Sequence, residues 1–172
     1  MNNLASTLGD QGKLDEAALM RREVLEKMQR ILGDEHPDTI SAMNNLALTL
    51  GDQGKLDEAA LMMREVLEKM QRILGDEHPD TISAMNNLAS KLGDQGKLDE
   101  AALMMREVLE KRQRILGDEH PSTIRAAGYL RLIRSALNTE PSDTSTTKKQ
   151  PLLKKVTGKL RRFRDSFRFP QS

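Results

Sequence analysis

Three histidines, His36, His78 and His120, supply every imidazole in the chain, and they stand 42 residues apart. Imidazole is a common metal ligand and general base, but a metal site needs several donors converging on one ion. Side chains one structural repeat apart cannot converge, and with no Cys in the sequence no thiolate can complete a set or act as nucleophile. The loop in which each histidine recurs explains them better. Carboxylate pairs such as Asp57-Glu58 and Asp76-Glu77 also recur in every copy. Acid–base catalysis needs two carboxylates in distinct environments, and nothing sets one copy apart. These pairs read as helix-dipole and solvation residues. Gly51-Asp52-Gln53-Gly54 follows no strand and leads to no Gly-Lys-Ser/Thr, so it is not a phosphate loop. The Met pairs, Met62-Met63 and Met104-Met105, read chiefly as core. The residues give no catalytic set, no metal site and no cofactor site, and the chain is read as non-enzymatic.

What positions these residues is a repeat. Gly-Asp-Gln-Gly-Lys-Leu-Asp-Glu-Ala-Ala-Leu-Met begins at Gly9, Gly51 and Gly93. Residues 1–42 and 43–84 differ only at Ser6/Leu48 and Arg21/Met63. Residues 43–84 and 85–126 differ at Leu48/Ser90, Thr49/Lys91, Met70/Arg112, Asp80/Ser122 and Ser83/Arg125. A fixed period of roughly 20–50 residues marks stacked units that bury their apolar faces against one another. In the middle copy Pro37 stops the preceding segment and Asp38 reads as the N-cap of a helix from Thr39. Ile40, Met43, Leu46, Ala47 and Leu50 fall at helical spacing, and Gln53-Gly54 reads as the stop. A second helix spans about Leu56 to Leu74, with Asp57 and Glu58 in its first turn and a wide apolar stripe from Leu56 to Leu74. Gly75 closes it. Each copy is thus an antiparallel helix pair, and the fold class is an all-α α-solenoid of three pairs with a closing helix over 121–137.

Asn45-Leu46-Ala47, Leu50, Gly54, Leu56, Ala59, Met63 and Val66 resemble the tetratricopeptide repeat over residues 1–137. The usual period of that family is about 34. A 42-residue period with Leu-Gly-Asp-Glu-His-Pro-Asp-Thr between units is similar to the kinesin-light-chain type found in fungal and bacterial repeat proteins. The resemblance implies a concave groove, lined by the first helix of each pair, in which peptides bind. It places Asn2 and Ser6 of the first copy, Ser41, Asn44 and Leu48 of the second, and Ser83, Asn86 and Ser90 of the third in that groove, with Arg125 from the closing helix. Asn offers both a donor and an acceptor, so a ladder of Asn2, Asn44 and Asn86 could clasp the backbone of an extended peptide; alternatively these side chains bond the neighbouring helix. Leu48/Ser90 and Ser83/Arg125 lie on the expected groove face, with Thr49/Lys91 beside it. The added positive charge suggests an acidic or carboxylate-ended ligand.

The ends differ from the middle. Met1 aligns with Met43, so the first helix begins in mid-repeat, as in a piece of a longer array or a chain from an alternative start. Leu4 and Leu8 on an uncovered end could drive end-to-end self-association. At the other end Asn86-Asn87-Leu88-Ala89 has become Gly128-Tyr129-Leu130-Arg131 and Leu92 has become Arg134, which suits a solvated capping helix.

Charge divides the chain. Its net +1 combines about −5 in the array with +6 beyond Leu137. Residues 138–151 read as a flexible, disordered linker. Over 152–169, Leu152, Val156, Leu160, Phe163 and Phe167 recur on one helical face. Lys154, Lys155, Lys159, Arg161, Arg162, Arg164 and Arg168 fill the rest. Such a basic amphipathic segment suits an anionic membrane surface or an acidic helix-binding partner of the calmodulin type. Thr157 and Gly158 weaken it as an isolated helix, so it should fold on contact. The same charge also fits a nuclear import signal, while nucleic acid ranks low because no reading fold accompanies it. Without a spanning apolar stretch of about 20 residues or a leader, the expected location is the cytoplasm, or the nucleus if the tail directs it there.

Overall fold

In the computed structural model residues 11–138 and 157–163 are described. The chain divides into two compact units, residues 1–88 and 89–172. The first holds α1 (Leu14–Leu32), α2 (Pro37–Asp52), α3 (Leu56–Leu74) and the opening turns of α4 (Pro79–Asp94). The second holds the last turns of α4, then α5 (Leu98–Leu116), α6 (Pro121–Asn138) and α7, a helical segment over 157–163. All described regular structure is helical, as the sequence periodicity requires.

Helix pairing follows the sequence closely. α1 packs on α2, α2 on α3, and α5 on α6. The links between them are too short for anything but antiparallel neighbours. Ala17, Ala59 and Ala101 are all fully buried, and a methyl side chain there lets backbones approach. Around them lie Ile40, Leu46, Leu50, Met63 and Val66 in the first unit and Met105, Val108 and Ile133 in the second. The outer end of the predicted stripe is open, for Ile73 is 40% exposed.

Each second helix ends where the chain turns left-handed. Gly75 has φ +87° and its N–H donates to the carbonyl of Gln71; Gly33 and Gly117 repeat this. At the start of the first helices the structure corrects the sequence reading. His36, not Asp38, is the N-cap of α2: its Nδ1 accepts from the backbone N–H of Asp38 at 3.2 Å, and Pro37 is the first helical residue. His78 and His120 cap α4 and α6 through the same 3.2 Å bond to Asp80 and Ser122. Proline suits the first helical position because it lacks an N–H that would have no partner there. The histidines therefore have a structural task in every copy.

Polar ties fix the pairs. Gln53 Nε2 donates to Asp15 Oδ1 at 2.7 Å and to the Leu14 carbonyl, joining the end of α2 to the start of α1. Arg22 meets Glu58 at 3.0 Å, and Lys69 and Arg72 of α3 hold Glu35 in the α1–α2 loop.

Candidate peptide-binding face

On α2, Ser41, Asn44 and Leu48 follow one another at spacings of three and four and so share one side of the helix. Ser41 is exposed, while Asn44 and Leu48 are half-buried. Asn44 Oδ1 is enclosed and has no hydrogen-bond partner among the described residues. A buried acceptor left without a donor costs about 1–3 kcal/mol, which a rotation of the carboxamide toward a ligand N–H would recover. Ser41 also borders a small cleft with Ile40, Met70 and Asp80.

The corresponding positions on α4 are not equivalent to one another. Ser83 is exposed, but its hydroxyl donates back to the Pro79 carbonyl at 2.9 Å. Asn86 is half-buried. Ser90, expected on the open face, is only 7% exposed, and its carbonyl accepts from the Tyr129 hydroxyl at 3.3 Å. Burial removes Ser90 from any surface open to a ligand. Lys91, expected to lend positive charge beside the groove, is 2% exposed and lies 3.6 Å from Asp94. Its charge is spent inside the unit.

Arg125 is half-buried on α6 near Arg112 of α5. Arg112 replaces Met70, and its Nη1 donates to the Ser122 carbonyl at 3.1 Å. Burial, and secondarily the charge of Arg125, lowers its pKa below the usual arginine value. Unlike Lys91, both cations of this corner keep part of their surface in reach of solvent.

Within the tail segment, Lys159, Arg161 and Arg162 are exposed, as expected of a basic face. Leu160 is 1% exposed, and Phe163 is half-buried with its ring 6.4 Å from that of Tyr129. Leu160 and Phe163 are thus turned onto their own unit. The sequence-predicted Asn2, Ser6, Lys154, Lys155, Arg164, Phe167 and Arg168 lie outside the described residues, as does the linker from 139 onward. Residues missed by sequence reasoning are Gly93, Gly128 and Tyr129, which meet the tail; the replacement of Asn86 and Asn87 by Gly128 and Tyr129 was the available signal. Among the described residues, no three His, Asp or Glu side chains gather as metal donors, and no helix is long and apolar enough to cross a membrane.

The sequence matches the tetratricopeptide repeat three times, over residues 1–38, 39–80 and 81–122. The chain belongs to the tetratricopeptide-repeat family. A Podosopora anserina putative kinesin light chain with nearly identical TPR-like repeats shares the fold with TM-score 0.69 at 19% identity, covering 98% of this chain and 95% of the other. A single-residue variant of that protein is similar at TM-score 0.69 and 19% identity, covering 96% and 93%. BtubC (BKLC) from P. vanneervenii is similar at TM-score 0.71 and 21% identity, covering 98% of this chain and 64% of its own. No curated protein sequence matches the chain. Tetratricopeptide repeats indicate a protein–protein interaction scaffold.

Proposed function

We propose that this protein is a non-enzymatic scaffold that binds an extended peptide segment along the face carrying Ser41, Asn44 and Leu48 on α2 and Ser83 and Asn86 on α4. The observation that supports the reading most directly is Asn44, whose carboxamide oxygen has no hydrogen-bond partner among the described residues. An extended peptide presents backbone N–H and C=O groups whatever its side chains, and a carboxamide satisfies both. Leu48, half-buried beside Asn44, offers an apolar contact to the same ligand.

The test begins with peptides selected on the immobilised whole chain from a random library. Their affinities are then measured by fluorescence anisotropy for the parent and for the Asn44→Ala/Asn86→Ala variant. Loss of two ligand hydrogen bonds at roughly 1 kcal/mol each predicts at least about tenfold weaker binding, with helicity unchanged. Equal affinities would remove these asparagines from the binding surface.

A further inference from the structure

We propose that α7 is an intramolecular ligand of the surface formed by the last turns of α4 and by α6, so that any other ligand of that surface must first displace it. The consequence for ligands rests on the peptide-binding reading; the docking itself does not.

Three contacts define the fit, all within the second unit. A β-carbon on Gly128 would stand 2.7 Å from Cζ of Phe163, closer than such atoms approach, so the ring keeps this position only while residue 128 has no side chain. A β-carbon on Gly93 would stand 2.7 Å from the Tyr129 hydroxyl and 3.6 Å from a methyl of Leu160, which is closed off from solvent. Tyr129 completes the surface, with its ring tilted 40° to that of Phe163 and its hydroxyl donating to the Ser90 carbonyl.

Gly93 recurs as Gly9 and Gly51, but Gly128 and Tyr129 are positions at which the closing helix leaves the repeat. Gly128 stands 42 residues after Asn86, where the asparagine ladder would place its next member. Tyr129 replaces Asn87 in the same register, and Ser90 replaces Leu48. The sequence has removed a ladder side chain just where Phe163 lies and added an aromatic ring beside it. Adjacent departures that together make room for Phe163 and face it with an aromatic ring are those that a built-in occupant requires.

Tethering makes such an occupant effective. A segment joined through residues 139–156 acts at an effective concentration in roughly the millimolar range, above that of most free ligands. It also makes the two sides of the tail exclusive. Leu160 and Phe163 cannot pack on α6 and serve an outside partner at the same time.

The probe is a fluorescent synthetic peptide of residues 152–169, added to the full chain. The wild type should bind it at least about tenfold more weakly than a Leu160→Ala/Phe163→Ala variant, whose own tail is released. Adding Gly128→Asn to that variant should abolish the gain, because the peptide's phenylalanine meets the new β-carbon. Equal binding by wild type and variant, including no binding by either, would overturn the proposal. So would a gain that survives Gly128→Asn. If the peptide behaves as expected while Asn44→Ala/Asn86→Ala leaves selected ligands untouched, the ligand reading fails and the docking stands.

Discussion

Arg112 occupies the position held by Met28 and Met70 in the other copies, and it is a poor exchange energetically. Its guanidinium is partly desolvated and faces a second cation, Arg125, and both effects lower its pKa. A cation whose folded pKa lies below its unfolded value holds its proton less tightly when folded. The resulting cost is therefore present at every pH below the folded pKa and is relieved only in strongly alkaline solution. Titration near neutrality will not reveal it, but substitution will. Arg112→Met gives up the bond to the Ser122 carbonyl and restores the residue the other copies use. Relieving the desolvation of the guanidinium and its repulsion from Arg125 favours the exchange, and a gain of about 1 kcal/mol is expected. For a chain of this size that is roughly 2–4 °C in melting temperature by circular dichroism, and a lower melting temperature would contradict the account. Lys91 shows the other outcome of burying a charge. It has Asp94 within 3.6 Å, and here the neighbouring carboxylate compensates the cation that replaces Thr49.

At the scale of the helix, the caps separate what periodicity reveals from what it hides. His78 Nδ1 satisfies the Asp80 N–H, one of the N–H groups that the first turn of α4 leaves without a helical acceptor. His78→Ala should therefore destabilise by about 1 kcal/mol, and His78→Asp, a better cap, should not. Asp80→Ala removes only a favourable charge near the dipole, worth a few tenths of a kcal/mol. Urea midpoints for the three variants decide the assignment; a larger loss at Asp80 than at His78 would reverse it. The helix interiors were legible because Ile40, Met43, Leu46 and Leu50 keep one spacing through every copy. The exits were legible because Gly54 and Gly75 punctuate it, and both take positive φ. The entry was misread because Asp38 is the commoner capping type, whereas His36 caps with a ring nitrogen. Pro37 held the missing clue, since proline prefers the first helical position and places the cap one residue earlier.

Across the whole molecule, repetition made the fold readable and concealed the part that is not repeated. The amphipathic spacing of Leu160 and Phe163 was visible, but its partner was not, because Gly128 acquires meaning only when Phe163 lies 2.7 Å from its absent side chain. Near-identity of the copies also permits a test that few proteins allow. A further copy of residues 43–84 inserted between Ala84 and Met85 joins Ala84 to Met43 and then Ala84 to Met85. Both junctions reproduce the natural Ala42–Met43 sequence, Ala-Met-Asn-Asn-Leu, so no new local sequence is created. In arrays of this family stability is approximately a sum of unit terms and nearest-neighbour terms, and an added unit contributes one of each. Its buried apolar side chains also add to the surface exposed on unfolding. The longer chain should therefore keep its mean residue ellipticity at 222 nm, unfold at higher urea and show a steeper dependence on denaturant. The second unit is left intact by the insertion, so hydrogen exchange at 157–163 should match the parent. A fall in ellipticity per residue, or an unchanged midpoint, would mean that the copies are alike in sequence without being additive in energy.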